Sequence, residues 1–126
     1  MWYILWYGVD NMEKQRLISS YDEINDTFVG KIDGRNGYCA DYSISDGVFL
    51  SIDKDNIPTS VLIDNASEVF DISKKVLENS NVKIGIDCDS ICLYFTMFIE
   101  NLKICSIACK NNFGIPKLSF EIDSNY

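Results

Sequence analysis

Three features of this 126-residue chain predict an α+β fold: a twisted, mainly antiparallel sheet with one or two helices packed on it. Short runs rich in Ile, Val, Phe and Tyr recur along the chain, as half-buried strands require. Turn dipeptides separate them: Asp10-Asn11, Asp33-Gly34, Asn36-Gly37 and Asp46-Gly47. One segment, Ala66 to Leu77, instead carries its apolar residues in a single helical stripe.

The first hairpin is expected over 2–9 and 12–18, turning at Asp10-Asn11. Ser20 with Glu23 has the Ser-x-x-Glu spacing that satisfies two free amides at a helix start. Tyr21, Ile24 and Phe28 share one face of the short helix this predicts, and Gly30 is placed at its end. Strands follow at 38–45, 47–53 and 59–64. Asn65 with Glu68 repeats the capping spacing. Ala66, Val69, Phe70, Ser73, Val76 and Leu77 then define a helix running to about Asn79, with Asp71 set to pair with Lys74 or Lys75. The remainder reads as a meander of strands at 82–87, 91–99, 102–109 and 116–122. The third is ambiguous: Lys103, Ser106 and Lys110 have the spacing of a helix over 98–111 ended by Gly114 and Pro116, while the composition favours a strand. No repeat, low-complexity tract or linker interrupts the chain, so residues 1–126 are expected to form a single domain.

Composition narrows the function. The chain has no histidine, a net charge of −8 and a 47% hydrophobic content. Without histidine it lacks the usual proton shuttle at neutral pH, which argues against an enzyme. Arg16 and Arg35 are its two arginines, a poor endowment for gripping phosphates, so direct nucleic-acid binding is not expected. The aromatic opening has no basic flank, is broken by Asp10 and Glu13, and is far shorter than the ~20 residues that cross a bilayer. Five cysteines cannot all pair internally, and free thiols suit a reducing, cytoplasmic setting.

Candidate chemistry is thin. Cys88, Cys92, Cys105 and Cys109 offer four thiolates to a zinc ion, but they sit among Ile, Leu and Phe at looser than usual spacing. Buried thiols are the better account, and no cofactor is expected. Asp53-Lys54-Asp55-Asn56 begins like a calcium loop, yet position 6, where glycine makes the sharp turn, is Pro58. The pairs Asp53/Asp55 and Asp87/Asp89 share a strand face and are the one constellation suited to carboxylate acid–base catalysis. Aromatic residues Trp2, Trp6, Tyr94, Phe95 and Phe98 suggest an alternative, a β-rich barrel or clam enclosing an apolar ligand.

The surface itself carries the main expectation. Asp33, Asp41, Asp46, Asp53, Asp55, Asp64, Asp87 and Asp89 fall at turns and strand ends. Strands pairing in sequence would gather several of them at one rim, interleaved with Tyr38 and Tyr42. Such a rim suits docking onto the Lys and Arg of a nuclease's substrate groove. The chain resembles immunity proteins of bacterial toxin–immunity systems, including those of contact-dependent growth inhibition. It shares their small acidic α+β character, an acidic short helix Ser20-Tyr-Asp-Glu-Ile-Asn-Asp-Thr-Phe28 ahead of strands, and the ending Gly114-Ile-Pro116-Lys-Leu-Ser-Phe-Glu121. The tryptophan that family carries near its last strand is replaced by Phe120. The resemblance implies neutralisation of a cognate toxin, most often a nuclease, by covering its active site or a neighbouring surface.

Overall fold

The computed structural model describes residues 13–126. Of these, 55% are strand and 10% helix, and the strands form a nearly closed, barrel-like sheet. The expected α+β arrangement, with helices packed on a sheet face, is therefore incorrect. The nine strands are β1 (Glu13–Asp22), β2 (Thr27–Ile32), β3 (Ala40–Ser45), β4 (Val48–Ile52), β5 (Pro58–Ile63), β6 (Val82–Cys88), β7 (Cys92–Ile99), β8 (Leu102–Lys110) and β9 (Leu118–Asp123). Two short helices, α1 (Ala66–Phe70) and α2 (Lys74–Asn79), lie between β5 and β6.

The strand order is β3-β4-β5-β2-β1-β9-β6-β7-β8. Every pair is antiparallel except β1 with β9. Strand β1 belongs to both halves of the barrel: Glu13–Arg16 run beside β9, and Leu17–Asp22 beside β2. A strand long enough to serve two neighbours in succession lets the sheet curl back on itself.

Alternation supplies the interior. Ile84, Ile86, Leu93, Phe95, Met97, Leu50, Ile63 and Phe28 are almost wholly buried and belong to one apolar cluster. Gly30 sits mid-strand in β2 and faces this cluster. A β-carbon there would lie 3.0 Å from Leu17 Cδ1 and 3.5 Å from Ile84 Cδ1, so the missing side chain is what lets opposite walls meet. It ends no helix, contrary to expectation.

Two further corrections concern helices. Residues 20–28 are not helical: β1 continues to Asp22, and β2 starts at Thr27 with Tyr21 opposite Phe28. Asp22 Oδ1 accepts from the amides of Ile24 and Asn25 at 3.0 and 3.2 Å, making a tight aspartate turn. Burying Phe28 to 1% exposure outweighs the local capping signal. The long helix expected over 66–79 is broken at Asp71, which takes a left-handed φ of 53°, and Ser73 then caps α2 through the amide of Val76. The break leaves Phe70 and Leu77 both buried while Val69 and Val76 are exposed. Asp71 forms no ion pair among the described residues, and Lys74 donates instead to the carbonyl of Glu23.

Strands β3 to β9 lie close to where the sequence places them, and 102–110 is strand. Of the hairpin expected over 2–9 and 12–18, the first arm and its turn lie outside the described residues, and the second arm, from Glu13, falls within β1. No helix among the described residues is long and apolar enough to cross a membrane.

Candidate functional site

The barrel has two ends, and each is closed by a chain segment that skips strands. At one end the chain leaves β5, crosses β2, β1 and β9, and enters β6. The two helices make this crossing, with Ala66, Phe70 and Leu77 turned into the core. At the other end residues 111–117 cross from β8 past β7 and β6 to β9, and Ile115, 3% exposed, closes the opening. Asn111 shapes that loop: its amide donates to the carbonyls of Asp89 and Ile115 at 2.9 and 2.7 Å. Phe113 packs on Tyr42 at 4.9 Å.

The expected partner-binding residues divide unevenly between these ends. The β2–β3, β4–β5 and β6–β7 connections bring Asp33, Tyr38, Asp53, Asp55 and Asp89 to the loop end, with Asp41, Tyr42 and Asp87 just inside it. Asp46 lies in the β3–β4 turn at the opposite, helical end. The gathering is therefore partial, and it does not make an acidic face. Connections at the loop end hold Asp33, Asp53, Asp55 and Asp89 against Arg35, Lys54 and Lys117.

Several of these carboxylates also have local work. Asp53 Oδ1 accepts from the amides of Asp55 and Ile57 at 2.8 and 3.0 Å. Asp89 Oδ1 accepts from those of Ile91 and Cys92 at 2.8 and 2.7 Å; the bond from Cys92, then that from Ile91, holds its carboxyl below the usual range. Asp41 accepts from Ser51 and, at 3.1 Å, from Tyr38. These are turn and strand-pairing roles.

The helical end is where negative charge accumulates. Its connections and helices carry Glu23, Asp26, Asp46, Asp64, Glu68, Asp71, Glu78 and Glu100, opposed by Lys74 and Lys75. Exposed apolar side chains stand among them: Ile24 at 92% exposure, Val69 at 38% and Val76 at 41%. The surface is held firmly. Asp26, also left-handed at φ 53°, accepts from Tyr21 at 2.6 Å, from the Ser67 hydroxyl at 2.6 Å and from the Ser67 amide at 3.0 Å. It thereby caps α1 from 41 residues away, a role the sequence assigns to Asn65, which makes no side-chain cap. Partial burial opposes the charge on Asp26, but the bonds from Ser67 and Tyr21 outweigh it and keep its carboxyl below the ordinary value. Burial, and then the bond to Asp26, pushes the Tyr21 hydroxyl upward.

The cysteines do not converge on one point, and no three potential metal ligands cluster among the described residues. Burial pushes the Cys88 thiol up to about 12 and raises Cys105 and Cys109, so these behave as small apolar groups. The aromatic set proposed to line a cavity is split. Phe95 is inside, Tyr94 is 46% exposed, and Phe98 lies on the outer face under the Lys83 ammonium at 5.4 Å. Trp2 and Trp6 fall outside the described residues.

The helical end was not assembled from the sequence because its acids come from four separate connections, and only the topology unites them. No protein-family model matches this chain, and no curated protein or solved structure shows significant similarity to it.

Proposed function

We propose that this protein acts by binding, docking its helical end onto a basic protein and covering that partner's working surface. The observation that carries this reading is the eight carboxylates against two lysines around exposed Ile24, Val69 and Val76. Stable interfaces pair apolar anchors with a polar rim, and opposite charge across the rim accelerates encounter. A toxin nuclease fits as the partner class. Its groove must be basic to hold phosphates, and a carboxylate-rich end competes for the same cations. Of the resemblance to immunity proteins, the small acidic character and the ending Gly114–Glu121 support this choice, whereas the α+β character and the helix at 20–28 do not. The docking face then differs from the rim of Asp53, Asp55, Asp87 and Asp89, where neighbouring cations cancel much of the field.

The test is association with a basic nuclease toxin that co-purifies at low salt, read by on-rate and by nuclease inhibition. The on-rate is expected to fall about tenfold or more between roughly 50 and 300 mM salt. Reversal of Glu23, Glu68 and Glu78 to lysine should abolish inhibition, while reversal of Asp33 and Asp55 should leave most of it. Equal inhibition by both variants overturns the docking face. An on-rate indifferent to salt overturns the electrostatic mechanism.

A further inference from the structure

A pocket of about 240 Å³ opens on the outer surface near the loop end, lined by Lys31, Arg35, Asn36, Gly37, Tyr38, Thr59 and Ser60. At the ~30 Å³ each water occupies in the liquid, this is room for about eight waters. Its lining is unusual for this chain: 19 acids against 11 bases overall, yet two cations and no carboxylate here.

The lining groups are set in place by the fold. Lys31 of β2 stands directly opposite Ser60 of β5, so its ammonium and that hydroxyl share one outer face. Lys31 makes no ion pair among the described residues. Arg35 is anchored: its guanidinium lies 5.2 Å from the Phe120 ring, donates to Gln15 at 3.3 Å and reaches Glu13 at 3.7 Å. That leaves it preorganised, with one donor bonded to Gln15 and its charge paired with Glu13. The Tyr38 hydroxyl donates to Asp41, which fixes a ring otherwise 67% exposed beside the opening. Thr59, a polar residue only 4% exposed, lies in this wall.

The geometry points to a binding site for a small oxyanion-bearing molecule, a phosphate monoester or carboxylate attached to a compact flat body. Lys31, Asn36 and Ser60 meet the oxygens, Arg35 adds a fixed guanidinium whose charge Glu13 partly offsets, and the Tyr38 ring covers the body. This is distinct from the helical docking end and from any apolar ligand inside the barrel.

The experiment titrates the whole protein with phenyl phosphate, benzoate and inorganic phosphate, following backbone amide shifts. Phenyl phosphate or benzoate is expected to saturate with a Kd of about 1 mM or below, with shifts concentrated at 31, 35–38 and 59–60. Whichever of the two binds more tightly identifies the head group. Lys31→Gln should weaken binding about tenfold or more, whereas Lys54→Gln, outside the pocket, should leave it unchanged. Tyr38→Ala should weaken phenyl phosphate but not inorganic phosphate. No saturation by about 10 mM, equal affinity in Lys31→Gln, or shifts spread equally over Lys74 and Lys75 would overturn the site.

Discussion

The two ends of this barrel meet the same topological demand in different ways. Each must carry the chain over strands that it skips, and each drops apolar side chains into the opening as it does so. The helical end uses 18 residues, 64–81, and surrounds its plug with carboxylates that few lysines offset. The loop end uses residues 111–117, one plug residue and a balance of charges. Closing the barrel therefore does not explain the acidity of the helical end, since the other end closes without it. What closure does not require is available for recognition.

The sharpest way to probe that contrast is to remove a plug from each end. Phe70, 5% exposed, anchors α1, and Phe70→Ala should cost about 3–5 kcal/mol in urea denaturation. Ile115→Ala should cost about 2–5 kcal/mol on the same scale. Native-state hydrogen exchange should then separate the ends: Phe70→Ala speeds exchange across 66–79, and Ile115→Ala across 111–117. Uniform acceleration over the whole barrel in both variants would show that the ends are not independent units.

A smaller effect concerns how the helical end is held. Asp26 has its carboxyl pKa lowered in the folded state, so its contribution is fully present above the unfolded value near 4. It is lost as pH falls through the lower, folded value. Asp26→Asn keeps the shape but removes the charge, and is expected to cost about 1–3 kcal/mol at pH 7. It should also flatten the loss of stability below about pH 4. An unchanged acid limb in Asp26→Asn would assign that limb to other carboxylates.

Much of the sheet was legible because its signals are local. In β6 and β7 the alternation of Ile84, Ile86, Leu93, Phe95 and Met97 is plain, and the Asp46-Gly47 turn fixes the β3–β4 hairpin: Gly47 has a φ of +76° and no room for a β-carbon beside the Asp64 carbonyl at 3.0 Å. The helices were misjudged where local and distant demands conflict. Ser20 and Glu23 have capping spacing, yet Phe28 needs an inward place in β2. The stripe from Ala66 to Leu77 suits one helix lying on a sheet, whereas closing a barrel end requires a break at Asp71. The parallel pairing of β1 with β9 joins residues more than 100 positions apart, beyond any period in the sequence. The expected acidic rim is divided between the two ends for the same reason: acids were grouped by nearness to turns, while the topology decides which turns share an end and which lysines stand beside them.

The smallest expected effect tests that last point directly. Asp55 is exposed, lies in the β4–β5 turn next to Lys54, and makes no side-chain hydrogen bond among the described residues. Asp55→Lys should change unfolding stability by no more than about 0.5 kcal/mol, as for surface positions away from caps and cores. Asp53, one turn position earlier, differs because its Oδ1 holds two amides, and Asp53→Ala should cost about 1 kcal/mol more than Asp55→Lys. Glu68→Lys at the helical end should match Asp55→Lys in stability yet differ from it in partner on-rate, because its field is the uncompensated one. If the two reversals slow association equally, the distinction between the ends is structural only, and recognition draws on the net charge of the whole molecule.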